Sequence, residues 1–190
     1  MGRPKALLDI GGRPALERIL EACREAGLAP PIVVLGAAAE AILAAVSLDP
    51  GLVVIHEGWQ DGRSSSLQAG LRRIPGGEDF LVYPVDHPFV LPTTLRCLVR
   101  AMHTAPPGTL VLAPVHAGRR GHPILCAAGL RSEIERLAPD APLRDVVRRE
   151  GARVVAVEVG DAGVLQDLDT PEDYARALGA RKAGKGTFAL

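Results

Sequence analysis

Five short apolar runs rich in β-branched residues, at 32–35, 52–55, 80–83, 110–113 and 154–157, alternate with segments patterned for helices. No other feature constrains the fold as much. Strands so uniformly apolar must be covered on both faces, and helical crossovers supply that cover. The expected fold class is therefore α/β: a three-layer sandwich around a mostly parallel sheet, with one domain over 1–178 and a frayed tail at 179–190. Leu16, Ile19, Leu20 and Cys23 recur at helical spacing after Pro14, and Gly27 stands where a helix would be capped. Residues 37–46, 64–72, the stretch after Pro92, and 171–178 read as further helices. Between Pro114 and Leu125 the pattern gives way to Gly, Arg, His and Pro, which predicts an exposed hairpin or an excursion over the sheet. Function often sits on such loops.

Composition removes several classes of partner. Lys+Arg 22 balance Asp+Glu 22, so no basic surplus draws the chain to nucleic acid or to an anionic membrane. Aromatic residues at 3% supply few stacking platforms for single strands. Cys23, Cys97 and Cys126 are far apart and form no CxxC, which suits small buried hydrophobes in a reducing compartment. The longest uncharged apolar stretch, 32–39, is far short of the ~20 residues that span a bilayer. Met1-Gly2-Arg3-Pro4-Lys5 lacks the apolar core of a signal peptide. The expectation is a cytoplasmic protein with neither nucleic acid nor membrane as partner.

Four segments carry chemistry. Asp86, in Val85-Asp86-His87-Pro88, lies just beyond the strand at 80–83, and ligands of open α/β sheets bind at the carboxyl ends of strands. A carboxylate there holds a hard cation or caps a turn. In Asp167-Leu168-Asp169-Thr170-Pro171-Glu172-Asp173, residues two apart in extended chain point to the same side. Thr170 as N-cap, Pro171 behind it and an acidic first turn explain 170–173 as a helix start, but not Asp169. Gly62-Arg63-Ser64-Ser65-Ser66 precedes a helix; it offers hydroxyls and amides to an anion, or simply caps the helix. Gly118-Arg119-Arg120-Gly121-His122-Pro123 is either a basic turn or a binding loop, and His116 and His122 lack a third ligand for zinc. No GxGxxG follows any strand, so the dinucleotide fingerprint is missing.

Taken in order, Met1-Gly2-Arg3-Pro4-Lys5, Gly11-Gly12-Arg13-Pro14, the segment 62–71, Asp86-His87-Pro88, the loop 118–123 and the acidic segment 167–174 resemble the MobA/MocA family of molybdenum-cofactor nucleotidyltransferases, closest to its cytidylyltransferase branch. The resemblance spans about 1–178. It implies a Rossmann-like nucleotide-diphospho-sugar transferase architecture and a Mg²⁺-dependent transfer of CMP from CTP to the phosphate of a molybdopterin-type cofactor, with release of pyrophosphate. By the same resemblance Lys5 and Asp86 are catalytic, Asp86 and Asp169 hold Mg²⁺, and Asp167 is the lesser candidate. Arg3, Lys5, Gly62, Ser64, Ser65 and Ser66 bind the nucleotide, while Arg119, Gly121 and His122 approach the acceptor. A molybdoenzyme or its chaperone is the implied protein partner. A guanylyltransferase of the same family, a sugar- or alcohol-phosphate nucleotidyltransferase, and a truncated noncatalytic cofactor-binding paralogue are the alternatives.

One departure stands out. The family opens with a buried strand and a small-residue Gly loop before the Arg-Met-Gly-x-x-Lys segment, whereas this chain starts at that Met. A central strand that is missing leaves its neighbours' backbone groups unpaired, at about 1–3 kcal/mol for each buried group. The expectation is a misassigned start, with a vacant central lane in the sheet, Met1 near its mouth and Lys5 facing an open cleft.

Overall fold

A computed structural model of the chain describes residues 2–184, with side chains through residue 179; Met1 and 185–190 lie outside it. The first long helix, α1 (Ala15–Glu25), buries Ala15, Leu16, Ile19, Ala22 and Cys23. It ends as the sequence predicts: the Leu28 amide donates to Cys23 O and the Gly27 amide to Arg24 O, the paired bonds of a Schellman cap. Helix α2 (Ala39–Ala45) crosses between strands β1 (Val33–Leu35) and β2 (Val53–Ile55), which pair in parallel. Helix α3 (Arg63–Leu71) leads to β3 (Phe80–Val82), and α4 (Pro92–Thr104) to β4 (Val111–His116). The remainder comprises β5 (Arg119–Arg120), β6 (Ile124–Cys126), α5 (Arg131–Glu135), α6 (Leu143–Arg149), β7 (Val154–Glu158) and α7 (Pro171–Gly184). Helix α7 thus runs past 178 into the segment expected to fray, and the rest of that segment is outside the described residues.

The five predicted strands all form, and the class is α/β, but the pairing is mixed rather than mostly parallel. In the larger sheet β3, β4 and β7 run one way while β5 and β6 run against them. The reason lies in the loop predicted at 114–125. After β4 the chain turns at Ala117 and Gly118, returns along β4 as β5, and then slots β6 between β3 and β4. A tight turn can join only antiparallel neighbours, so this insertion needs no crossover helix. Ile124-Leu125-Cys126 is too short an apolar run to announce itself as a strand.

Alternation along β4 creates the layers. Val111 and Ala113 pack with Leu71, Leu130, Ile134 and Val146 from α3 through α6, whereas Leu112 packs with Leu98 of α4 on the other side. Leu112 and Leu98 are fully enclosed, and trimming either to Ala costs about 2–5 kcal/mol through lost contact and a residual cavity. Buried Cys23 and Cys126 have thiol pKa values pushed up by burial to about 11 and about 12, which leaves them unreactive near neutrality. No helix among the described residues is long and apolar enough to cross a membrane.

The sheet is split. Strand β1 pairs only with β2 and β3 only with β6, and no ladder joins the two sheets among the described residues. Val85, just beyond β3, instead packs against side chains of both halves. The sequence predicts a vacant central lane; the structure shows a break in pairing with Val85 packed at it, and Met1, expected at the mouth, is outside the described residues.

Candidate functional site

Asp86 lies past the end of β3 in a turn closed by the His87 amide donating to Pro84 O. The Leu168 amide donates to Asp86 O at 2.9 Å, tying this turn to the segment before α7. Leu168 is fully buried beside Leu8, Ile10, Phe89 and Ala177. With Leu168 turned inward, Asp167 and Asp169 on either side of it face outward, as the two-residue period requires. Thr170 and Asp173 cap α7 reciprocally: the Thr170 amide and hydroxyl donate to Asp173 Oδ2, and the Asp173 amide donates to Thr170 Oγ1. Those bonds hold the Asp173 carboxyl below the usual range.

Lys5 opens a turn of 3-10 helix, Lys5–Leu7, anchored by buried Ala6. Its Nζ lies between the two carboxylates, donating to Asp169 Oδ1 and, at 3.5 Å, to Asp86 Oδ2. Partial burial opposes the ammonium charge, but the hydrogen bond to Asp169 and the attraction of both carboxylates outweigh it, so the Lys5 pKa is raised. Asp86 Oδ1 is enclosed and has no hydrogen-bond partner.

These residues border a cleft of about 310 Å³ whose lining includes Asp86, Asp167, Asp169, Arg63, Arg119, Arg120, Gly121 and His122. Strand β5 presents Arg119 and Arg120, which are exposed and form no ion pair among the described residues. Gly121 sits so close to the segment before α7 that a Cβ would lie 2.2 Å from Val164 O, and the neighbouring His122 amide donates to that carbonyl. His87 also lines the cleft, 4.9 Å from His122 between ring centroids. Burial lowers the pKa of both imidazoles; for His122 the neighbouring ring lowers it further, while the carboxylates oppose. Both are neutral at pH 7.

The cleft therefore gathers Asp86, Asp169, Arg119, Gly121 and His122, with Lys5 held at its border by the two carboxylates, from four separate parts of the chain. It does not gather the residues expected to meet a nucleotide at α3. The amides of Ser64 and Ser65 both donate to Pro139 O, the Ser64 hydroxyl to Ala141 O, and the Ser65 hydroxyl to Gly62 O. The anion site expected at this helix start is thus closed by the chain's own carbonyls. Gly62 has φ +135°, and a Cβ on it would come within 2.4 Å of Pro139 O, so this position serves the close approach of the 139–141 segment. Ser66 is not among the cleft-lining residues, and Arg3 is exposed with no hydrogen bond or ion pair among the described residues. Two polar side chains of the cleft escaped the sequence reading: Arg63, hidden inside the serine motif, and His87, overshadowed by Asp86.

The family described as "MobA-like NTP transferase domain" matches residues 1–154. The chain is 32% identical over 186 residues to nicotine blue oxidoreductase of Paenarthrobacter nicotinovorans, covering 94% of this chain and 90% of that protein. Among solved structures, Rv0371c of Mycobacterium tuberculosis superposes with a TM-score of 0.82 at 32% identity, over 94% of this chain and 91% of that one. A second structure of Rv0371c, in complex with manganese, gives a TM-score of 0.80 over 94% of this chain and 93% of that one, at 32% identity. A nucleotidyl transferase from Methanothermobacter gives 0.77 at 27% identity, over 95% of this chain and 86% of its own.

Proposed function

Because the chain belongs to the MobA-like NTP transferase family, we propose that its cleft transfers a nucleotidyl group from a nucleoside triphosphate to a phosphorylated acceptor. The observation that carries this reading is the Lys5 ammonium set between Asp86 and Asp169 at the carboxyl edge of the sheet. In the reaction an acceptor phosphate oxygen forms a bond to the α-phosphorus while the bond to the β-phosphate oxygen breaks, and pyrophosphate leaves with that electron pair. A phosphate nucleophile is ionised near neutrality, so the site needs no strong base; positioning and charge neutralisation supply the rate.

The donor set suits a divalent cation. Asp86 and Asp169 are hard oxygen ligands, and Asp86 Oδ2 and Asp169 Oδ1 converge on one position, where the Lys5 ammonium lies. These two residues would hold Mg²⁺, which would offset the negative charge of the phosphates. Lys5 neutralises the triphosphate, and the guanidinium groups of Arg63, Arg119 and Arg120 grip phosphate oxygens at the rim. Neutral His87 and His122 place hydrogen-bonding nitrogens on the cleft wall without adding charge.

We assign CTP as donor and a molybdopterin-type phosphate as acceptor in a cytoplasmic setting, from the overall resemblance to the cytidylyltransferase branch; the individual motifs serve the metal and phosphates and do not choose the base. A second reading, a redox role like that named for the Paenarthrobacter relative, is favoured by that identity. The missing GxGxxG and the two buried, high-pKa cysteines weigh against it. Incubation of the chain with Mg²⁺, molybdopterin and each triphosphate in turn tests the assignment. Strict CTP use supports it, and strict GTP use moves the chain to the guanylyltransferase branch. Transfer only to a sugar or alcohol phosphate changes the acceptor. Absence of any transfer, with molybdopterin still raising the melting temperature, identifies a noncatalytic binding protein.

A further inference from the structure

We propose that Lys5 is the resting occupant of the divalent-cation position, so that this site loads metal only together with a polyphosphate. The inference rests on the nucleotidyl-transfer reading above and adds an order of events to it. The observation that carries it is geometric: the Lys5 ammonium donates to one oxygen of each carboxylate that a cation would need, Asp86 Oδ2 and Asp169 Oδ1.

A free divalent ion entering this cleft must expel an ammonium from two carboxylates, and it gains only those two side-chain ligands in return. Mg²⁺ and similar ions complete such sites with water and substrate phosphates. A triphosphate arriving with the ion changes both sides of the balance. Its oxygens fill the open coordination positions, and its charge gives the displaced Lys5 a new anion to pair with. The backbone of Lys5 is fixed by the 3-10 turn and buried Ala6, while its side chain is 32% exposed, so the flexible stem can swing without disturbing the core. Lys5 thereby keeps the two carboxylates paired between turnovers.

Binding of Mn²⁺ to the full chain, followed by electron paramagnetic resonance or calorimetry, tests this. An opposite charge within about 4–6 Å changes proton affinity of a carboxylate by ~1–3 pKa units, and cation affinity responds on the same scale. Mn²⁺ alone is expected to bind Lys5→Met about tenfold or more tighter than wild type. With a non-hydrolysable CTP analogue present the order reverses, because Lys5 then binds phosphate. Lys5→Gln, which preserves polarity and much of the length, must show the same reversal and stands in if Lys5→Met does not fold. Adding Asp169→Asn to either variant must abolish its gain; a gain that survives places the ion elsewhere and overturns the proposal. Equal Mn²⁺ affinity in wild type and the Lys5 variants also overturns it, whatever happens with nucleotide. Failure of wild type to bind the analogue with or without Mn²⁺ would instead refute the nucleotidyl-transfer reading, and the Mn²⁺-only comparison would still decide whether Lys5 holds the cation position.

Discussion

Replacing Asp161 with Ala tests how the segment after β7 is fastened to the start of α4. Helix α4 starts after Leu91, which carries no capping side chain. Asp161 reaches this start from 70 residues away: Oδ2 accepts from the Leu91 amide at 2.8 Å and from Thr94 Oγ1 at 2.7 Å, and Oδ1 accepts from the Gly163 amide at 2.9 Å. The residue is 5% exposed. Each hydrogen bond to a charged acceptor contributes about 1.5–3 kcal/mol, and relief of carboxylate burial on truncation offsets part of the sum. The expected net loss is about 3 kcal/mol, the scale of leaving two or three buried donors unpaired at about 1–3 kcal/mol each less that relief. At ~2–4 °C per kcal/mol for a chain of this size, the melting temperature should fall by about 6–12 °C. Thermal and urea unfolding measure it, and Thr94→Val provides the cycle, since that substitution should cost about 1 kcal/mol alone and nearly nothing once Asp161 is gone. A loss below about 1 kcal/mol, or additive effects of the pair, would refute the reasoning.

Asp86→Asn and Asp169→Asn should each abolish transfer while shifting stability by less than about 1 kcal/mol, because both side chains sit at the cleft rather than in the core; lost stability with retained turnover would make them structural caps. Gly121→Ala should destabilise by about 2 kcal/mol or more, since its Cβ would meet backbone rather than a flexible side chain, and circular dichroism melts would show it. The histidines set a pH dependence. Burial lowers the folded-state pKa of His87 and His122, so as pH falls below about 6.5 the unfolded chain takes up protons first and stability drops. Melting temperature should therefore decline between pH 7.5 and 5.5, and a His87→Gln/His122→Gln chain should show a flatter decline over that interval; an unchanged slope would show that these rings are not the cause.

What the sequence disclosed depended on how local the determinant was. The strands, the Gly27 cap and the Thr170 helix start are written in neighbouring residues, and each forms as expected. The outward-facing pair Asp167 and Asp169 also followed from a two-residue period around buried Leu168. That Lys5 would be associated with Asp86 and Asp169 came from family resemblance, because no spacing rule connects positions 81 and 164 residues apart. The serines at 64–66 show the opposite failure. Their motif was visible, but the Pro139 carbonyl that occupies their amides comes from a distant loop with no sequence signal. Strand β6 was hidden because three apolar residues after a cis His122–Pro123 bond look like loop until the sheet supplies ladders on both sides. Arg63 and His87 become visible only when the cleft is assembled around them.

The most direct test of nucleotidyl transfer at this cleft uses CTP labelled at the α-phosphate, with Mg²⁺ and molybdopterin, in wild type and in Asp86→Asn. The account predicts label in the acceptor, one pyrophosphate released for each acceptor labelled, and neither product from the variant. Unlabelled acceptor with every α-labelled nucleoside triphosphate, or equal transfer by Asp86→Asn, would contradict it.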